Sequence, residues 1–264
     1  ELSGGQENKA EEFAFLDPLL LHTPSVAISE CVAMSNRMGE VARENVHLAL
    51  CQLSDYSNAR ESEILANEDK LDIYEDRLGS YLVEVSQHGV SMADIRTVSR
   101  LLHAIGDFER IGDHAINIQD SARELQEKEL RFSPTAEKEL QVLGTALEDI
   151  LFQAVSSFNQ DDPAAAKAVE PLEETIDQLT EEIRMRHIQR LQTGECTIQL
   201  GFVLNDLLTN LERVSDHCSN IAVCVIEERD SSVDHHAYLH RLKVDDNFAE
   251  ELREDLSKYR LPNA

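Results

Sequence analysis

The sequence contains no tryptophan, and glycine and proline number only ten and six among its 264 residues. So few turn-forming residues argue against a strand-rich, many-turned architecture, and the abundance of Leu, Ala, Glu and Gln points to an all-α protein. No run of about 18 apolar residues occurs, so no segment reads as a membrane-spanning helix. The opening ELSGGQENKAEE has neither the basic nor the apolar region of a signal peptide. Positive charge is scarce as well: 24 Lys and Arg stand against 51 Asp and Glu, a formal net charge of −27. A field of that sign repels nucleic acid and anionic lipid headgroups, and no basic patch interrupts it, so neither nucleic-acid binding nor direct membrane insertion is expected. The five cysteines (Cys31, Cys51, Cys196, Cys218, Cys224) are odd in number, widely spread and free of CxxC spacing. They read as reduced thiols of a cytosolic compartment.

What the sequence does have is helical periodicity, stated twice. Apolar spacing predicts a helix from about Val32 to Leu53 through Met34, Met38, Val41 and Leu48. A second carries Ile64, Leu71, Tyr74, Leu78, Tyr81 or Leu82, and Val85, and ends near Gly89. Ser91 and Asp94 form a capping box for a third, with Ile95, Val98, Leu102 and Ile105 as its apolar stripe. After a polar connector, Ser133-Pro134 starts a fourth helix with Leu140, Leu143, Leu147, Ile150, Ala154 and Phe158. Pro163 and Pro171 mark a short turn before a fifth containing Ile176, Leu179 and Ile183, and a sixth carries Leu200, Leu204, Leu208 and Leu211 toward Val225.

Two motifs make this a duplication. ERIGDHAINI at Glu109 returns as ERVSDHCSNI at Glu212, and EDKLD at Glu68 returns as EETID at Glu173. The offsets, 103 and 105 residues, differ by what a loop change between the second and third helices absorbs.

Each half therefore places two E-x-x-x-D pairs on successive antiparallel helices: Glu68 and Asp72 with Glu109 and Asp113, then Glu173 and Asp177 with Glu212 and Asp216. Carboxylates at i, i+4 repel by about 0.2–0.5 kcal/mol even on an exposed face. A single such pair on an acidic helix is an ordinary solvated face. Two different pairs, each duplicated in order, call for a neutralising partner, and a bound metal is the most economical one. Arg110 and Arg213 are the other candidates, but at i+1 they are expected to point away on their own helix. Asn117 and Asn220 continue the stripe, and His114 and His217 sit about 100° round the helix from it; all four are expected beside the ligands rather than among them.

Other patterns carry less. His235, His236 and His240 lie in a polar segment that reads as linker. Ferritin-like oxidases need Glu-x-x-His on two helices, whereas here only Glu44 and His47 show that spacing among the repeated helices. No Gly-rich phosphate loop or nucleophile elbow is present, so the chain is not read as an enzyme.

At the acidic motifs the sequence resembles the PhoU family over roughly Val32 to Glu228. The resemblance implies two tandem antiparallel three-helix bundles, multinuclear metal clusters, and regulation of phosphate uptake rather than catalysis. Carried onto this chain, the ligands implied are Glu109, Asp113, Glu68 and Asp72 in one half and Glu212, Asp216, Glu173 and Asp177 in the other. The upstream pair admits a one-residue shift that brings in Asp69 and Glu174. The family favours iron or zinc, while carboxylate-only donors also admit manganese, nickel or magnesium.

Phe15 to Ala27 is similar to the segment joining the membrane part of bacterial sodium/phosphate cotransporter-like proteins to a PhoU-like tail, and the close of the chain from Phe248 is similar too. This implies a linker over 1–31 from a membrane part, repeats over 32–128 and 129–230, and a tail with a short helix over 231–264. The partner implied is a transmembrane sodium/phosphate transport domain of the same chain, at the cytoplasmic face of the inner membrane. A homodimer is compatible with this. The alternative is a free-standing regulator or scaffold acting on a transporter or kinase in trans.

Overall fold

A computed structural model of the chain describes residues 16–227 and 246–262. Asp17 accepts a hydrogen bond from the Leu19 amide and starts a 3-10 turn over Pro18–His22. Six long helices follow: α1 (Pro24–Ser54), α2 (Asn58–Ser86), α3 (Met92–Glu127), α4 (Pro134–Gln160), α5 (Val169–Thr193) and α6 (Ile198–Glu227). A single turn, Pro163–Ala166, precedes α5, and a C-terminal helix α7 covers Asp246–Lys258. The fold is all-α, as the composition predicts.

The helix starts follow from their caps. Ser91 Oγ accepts from the Asp94 amide while the Asp94 carboxylate accepts from the Ser91 amide, both at 3.1 Å, closing the expected capping box. Ser133 caps α4 through the Ala136 amide, with Pro134 in the first turn. Gly194 ends α5 in the left-handed region, φ 76°.

Two expectations are corrected. Helix α1 begins at Pro24 rather than Val32, because Ala27, Ile28 and Cys31 are buried and Pro24 is preset for a first helical turn. The expected linker over 1–31 therefore ends in helix. Ile95 is also not core: it is 42 % exposed, and the buried stripe of α3 runs through Val98, Leu101, Ile105, Phe108, Ile111 and Ile118. The expected linker histidines His235, His236 and His240 lie outside the described residues.

α1, α2 and α3 pack on one another, as do α4, α5 and α6; α3 then lies along α6, and α1 along α4. One contiguous core runs through both repeats. Phe108 of α3 meets Phe158 of α4 edge to face at 5.3 Å, so the duplicated units share their apolar interior. Gly39 permits the close approach of α1 to α3, since a Cβ there would stand 2.8 Å from Phe108 Cζ.

The C-terminal segment is fastened to the second repeat. Lys258 Nζ and Tyr259 Oη donate to the Asp149 carboxylate of α4 at 2.8 and 2.5 Å. Arg186 of α5 donates to the Pro262 carbonyl at 2.6 Å and, with Arg190, to Glu139. Glu139 is fully buried, which the two guanidiniums make tolerable.

Candidate metal centre

The short connection between α2 and α3 makes them antiparallel neighbours, and their acidic stripes face each other. Glu68 and Asp72 from α2 and Asp113 from α3 each bring one oxygen within 4.8 Å of the other two. The second repeat does the same with Glu173 and Asp177 of α5 and Asp216 of α6. Gly112 helps set the first spacing. A Cβ at that position would fall 2.5 Å from Leu71 Cδ1, so a glycine next to Asp113 lets α3 close on the turn of α2 that carries Asp72. Its counterpart in the second repeat, Ser215, is wholly buried.

Six of the eight expected ligands are thus brought together in two groups of three. Glu109 and Glu212 stand outside those groups. Glu109 is in phase with Ile95 and Leu102, but that row is the edge of the helix–helix contact rather than its centre. Burial, Asp113 and, less strongly, Asp72 and Glu75 push its carboxyl up, with Arg110 opposing them. Glu212 is held instead by Arg184 of α5, with N to O 3.4 Å. The shifted alternatives, Asp69 and Glu174, are also outside the groups, although Asp69 adds to the charge on Glu68.

The arginines depart from expectation. Arg110 reaches back to Asp113 at 3.4 Å and to Glu109 at 3.6 Å, and Arg213 reaches Asp216 at 3.1 Å. Both guanidiniums are 62 % exposed, so these ion pairs are weak and open to displacement.

His114 and His217 serve a different surface. They meet across the α3–α6 seam with ring centroids 5.5 Å apart. His114 Nδ1 lies 2.9 Å from Asn210 Oδ1, and His217 Nδ1 lies 2.8 Å from Asp107 Oδ1. Asp107 and Asn210 are themselves counterparts at the 103-residue offset, so the two histidines cross-bond the repeats about a pseudo-twofold axis. Asn220 also donates to Asp107, at 3.2 Å, and Asn117 is exposed. A motif within one helix cannot show such a seam, because it depends on which helices of the two repeats come together.

The two centres differ in charge. Thr180 and Arg184 of α5 occupy the places that Glu75 and Gly79 hold on α2 at the 105-residue offset. The first centre has Glu75 without a counterpart acid and the second has Arg184 without a counterpart base, while Lys70, inside the first motif, is replaced by Thr175 in the second.

The donor set fits a cation. Oxygens bound to one ion at about 2.0–2.6 Å can lie up to about 4–5 Å apart, which matches the observed grouping. Burial, then Asp72, Asp69 and Asp113, push the Glu68 carboxyl above its ordinary range. That is the crowding of like charge that a bound cation relieves.

Comparison with known proteins agrees with the duplication. The PhoU domain family model matches residues 35–122 and again 140–225. The phosphate-specific transport system accessory protein PhoU homolog 1 of Thermotoga maritima is 23 % identical over 192 residues, 72 % of this chain and 82 % of that one. A homolog from Pseudomonas aeruginosa is 24 % identical over 190 residues, 72 % and 78 % of the two chains. Among solved structures, PhoU from Pseudomonas aeruginosa superposes with a TM-score of 0.73 at 22 % identity, covering 78 % of this chain and 99 % of that one. The phosphate transport system regulatory protein PhoU from Streptococcus pneumoniae does so with 0.71 at 19 %, covering 80 % and 99 %.

Proposed function

The chain belongs to the PhoU family, and from that premise we propose that it regulates phosphate transport by acting in trans on a transport system, with metal held at its two acidic centres. The observation that carries this reading is the family match to both repeats, with the same three-carboxylate grouping in each. The relatives are named as accessory proteins of phosphate-specific transport systems, which favours the in-trans arrangement over a transport domain in the same chain. No described helix is long and apolar enough to cross a membrane. The same-chain sodium/phosphate reading therefore rests on the resemblance of Phe15 to Ala27 and of the C-terminal segment alone. The coding sequence ahead of Glu1 decides it by the presence or absence of membrane spans.

Glu68, Asp72 and Asp113 would hold one metal centre, and Glu173, Asp177 and Asp216 the other. All-oxygen donors suit hard cations such as magnesium or manganese; iron or zinc is favoured by the family alone. A bound ion supplies charge neutralisation and a link between neighbouring helices. The chain's own part is to present two adjacent helices at a fixed spacing, α2 with α3 and α5 with α6, as a stiff face for the transport partner at the cytoplasmic side of the membrane. We read it as a regulator rather than a catalyst.

The test is phosphate uptake in cells lacking the gene, complemented with wild type or with Asp113→Asn, Asp216→Asn. Restored control by wild type and lost control by the variant, at equal protein levels, supports the reading. Uptake indifferent to the gene overturns it.

A further inference from the structure

The Glu44-x-x-His47 spacing finds no partner motif, and His47 turns instead to the other repeat. Glu148 Oε1 of α4 lies 2.5 Å from His47 Nδ1, and His47 Nε2 lies 3.8 Å from the Sγ of Cys51, one turn further along α1. We propose that Cys51 is a site of covalent modification by low-molecular-weight hydroperoxides, with His47 as the base that takes the thiol proton and Glu148 as the residue that positions His47.

The geometry assigns the roles. An ionised carboxylate only accepts, so the proton of the neutral imidazole sits on Nδ1 and the Nε2 lone pair faces the thiol. A nucleophile, a base within reach and a third group orienting the base form the arrangement that activates thiols on unrelated folds. The last turn of a helix is a poor place for an anion, so proton removal during attack, rather than a stored thiolate, is the part His47 plays. Access is open: the His47 and Glu148 side chains are 49 % and 43 % exposed, and Cys51 is partly exposed.

Cys31, Cys196 and Cys218 supply the contrast. Cys31 and Cys218 are buried, and burial pushes both upward, Cys31 to about 12. Cys196 lies 3.7 Å from His187 Nε2, but burial pushes the Cys196 thiol up and the His187 imidazole down. No carboxylate is hydrogen-bonded to the His187 ring among the described residues. Of Cys31, Cys51, Cys196 and Cys218, Cys51 alone has thiol, imidazole and carboxylate in line among the described residues.

The step balances as follows. The Cys51 sulfur attacks one peroxide oxygen as its proton passes to His47 Nε2; the S–O bond forms and the O–O bond breaks. The departing oxygen takes the proton from the imidazolium and leaves as water or alcohol. Sulfur is oxidised by two electrons to the sulfenic acid and the peroxide is reduced, and a small thiol reverses the change through a mixed disulfide. The site is separate from the acidic centres, so this inference stands whether or not they bind metal.

Hydrogen peroxide and a sulfenic-acid trap, read peptide by peptide with mass spectrometry, test it on the whole chain. Cys51 is expected to react at least tenfold faster than both Cys196 and free N-acetylcysteine. His47→Ala should remove that excess, and free imidazole should restore part of it, which a purely structural role would not allow. Glu148→Gln should lose several-fold and Glu148→Asp should recover most of the rate. Both positions are exposed, and unchanged helix content by circular dichroism confirms that the fold persists. A Cys51 rate equal to N-acetylcysteine, or one unmoved by both His47→Ala and Glu148→Gln, overturns the proposal.

Discussion

Replacing Asp113 by asparagine should change stability in opposite directions with and without metal. In the metal-free protein, Asp113 faces Glu68 and Asp72 with oxygens within 4.8 Å. At that separation two unit charges repel by about 1 kcal/mol in bulk water and about 3.5 kcal/mol at an effective dielectric of 20. Asp72 is exposed, which places the true figure toward the lower end. Losing the exposed contact to Arg110 subtracts a few tenths of a kcal/mol. Asp113→Asn should therefore stabilise the metal-free protein by about 1 kcal/mol, or about 2–4 °C in Tm for a chain of this size. With metal at about 100 times its Kd, wild type gains about 2.7 kcal/mol per site, and the variant forfeits most of that gain at the first centre. Thermal melts by circular dichroism, in chelator and in added metal, read both signs. If Asp113→Asn lowers Tm in chelator as well, the acids are structural members of the helix contact and the repulsion argument fails.

Further expectations concern the frame around the centres. Gly112→Val should drive a side chain into Leu71, cost about 1–3 kcal/mol in chemical denaturation and weaken metal binding at the first centre while sparing the second. Glu139→Ala should cost about 3–5 kcal/mol, because Arg186 and Arg190 lose the buried carboxylate between them. Burial pushes the Asp149 carboxyl up, but hydrogen bonds from Lys258 and Tyr259 outweigh it and hold it below the ordinary range. Its contribution is thus fully present above the unfolded value near 4 and is lost as pH falls through the lowered folded value. Hydrogen exchange at α7 should rise over that acid range in wild type, and Asp149→Asn should show the faster exchange already at neutral pH.

Much of the fold can be read from single helices. Ser91, Asp94 and Ser133 announce helix starts because a cap is a local hydrogen bond. The duplicated acids announce two clusters of carboxylates, because i, i+4 spacing and a short loop bring six of the eight together, though not Glu109 and Glu212. What is hidden depends on partners far along the chain. Glu139, in the second turn of α4, is marked by no motif, because its arginines lie 47 and 51 residues on. Glu212 pairs with Arg184, a residue whose counterpart in the first repeat is Gly79, so no repeated motif marks that contact. His114 and His217 carry a seam that only the packing of α3 on α6 reveals. Arg110 and Arg213 show that i+3 contacts of a long, flexible side chain reach further than residue order suggests.

The most direct measurement is elemental analysis by inductively coupled plasma mass spectrometry of protein purified without added metal. It is made beside a variant carrying Glu68→Gln, Asp113→Asn, Glu173→Gln and Asp216→Asn. The account predicts iron, zinc or manganese at no less than one ion per centre in wild type, and its loss from a variant that remains fully helical. Absence of metal from both, persisting after reconstitution with each of these ions, would contradict it.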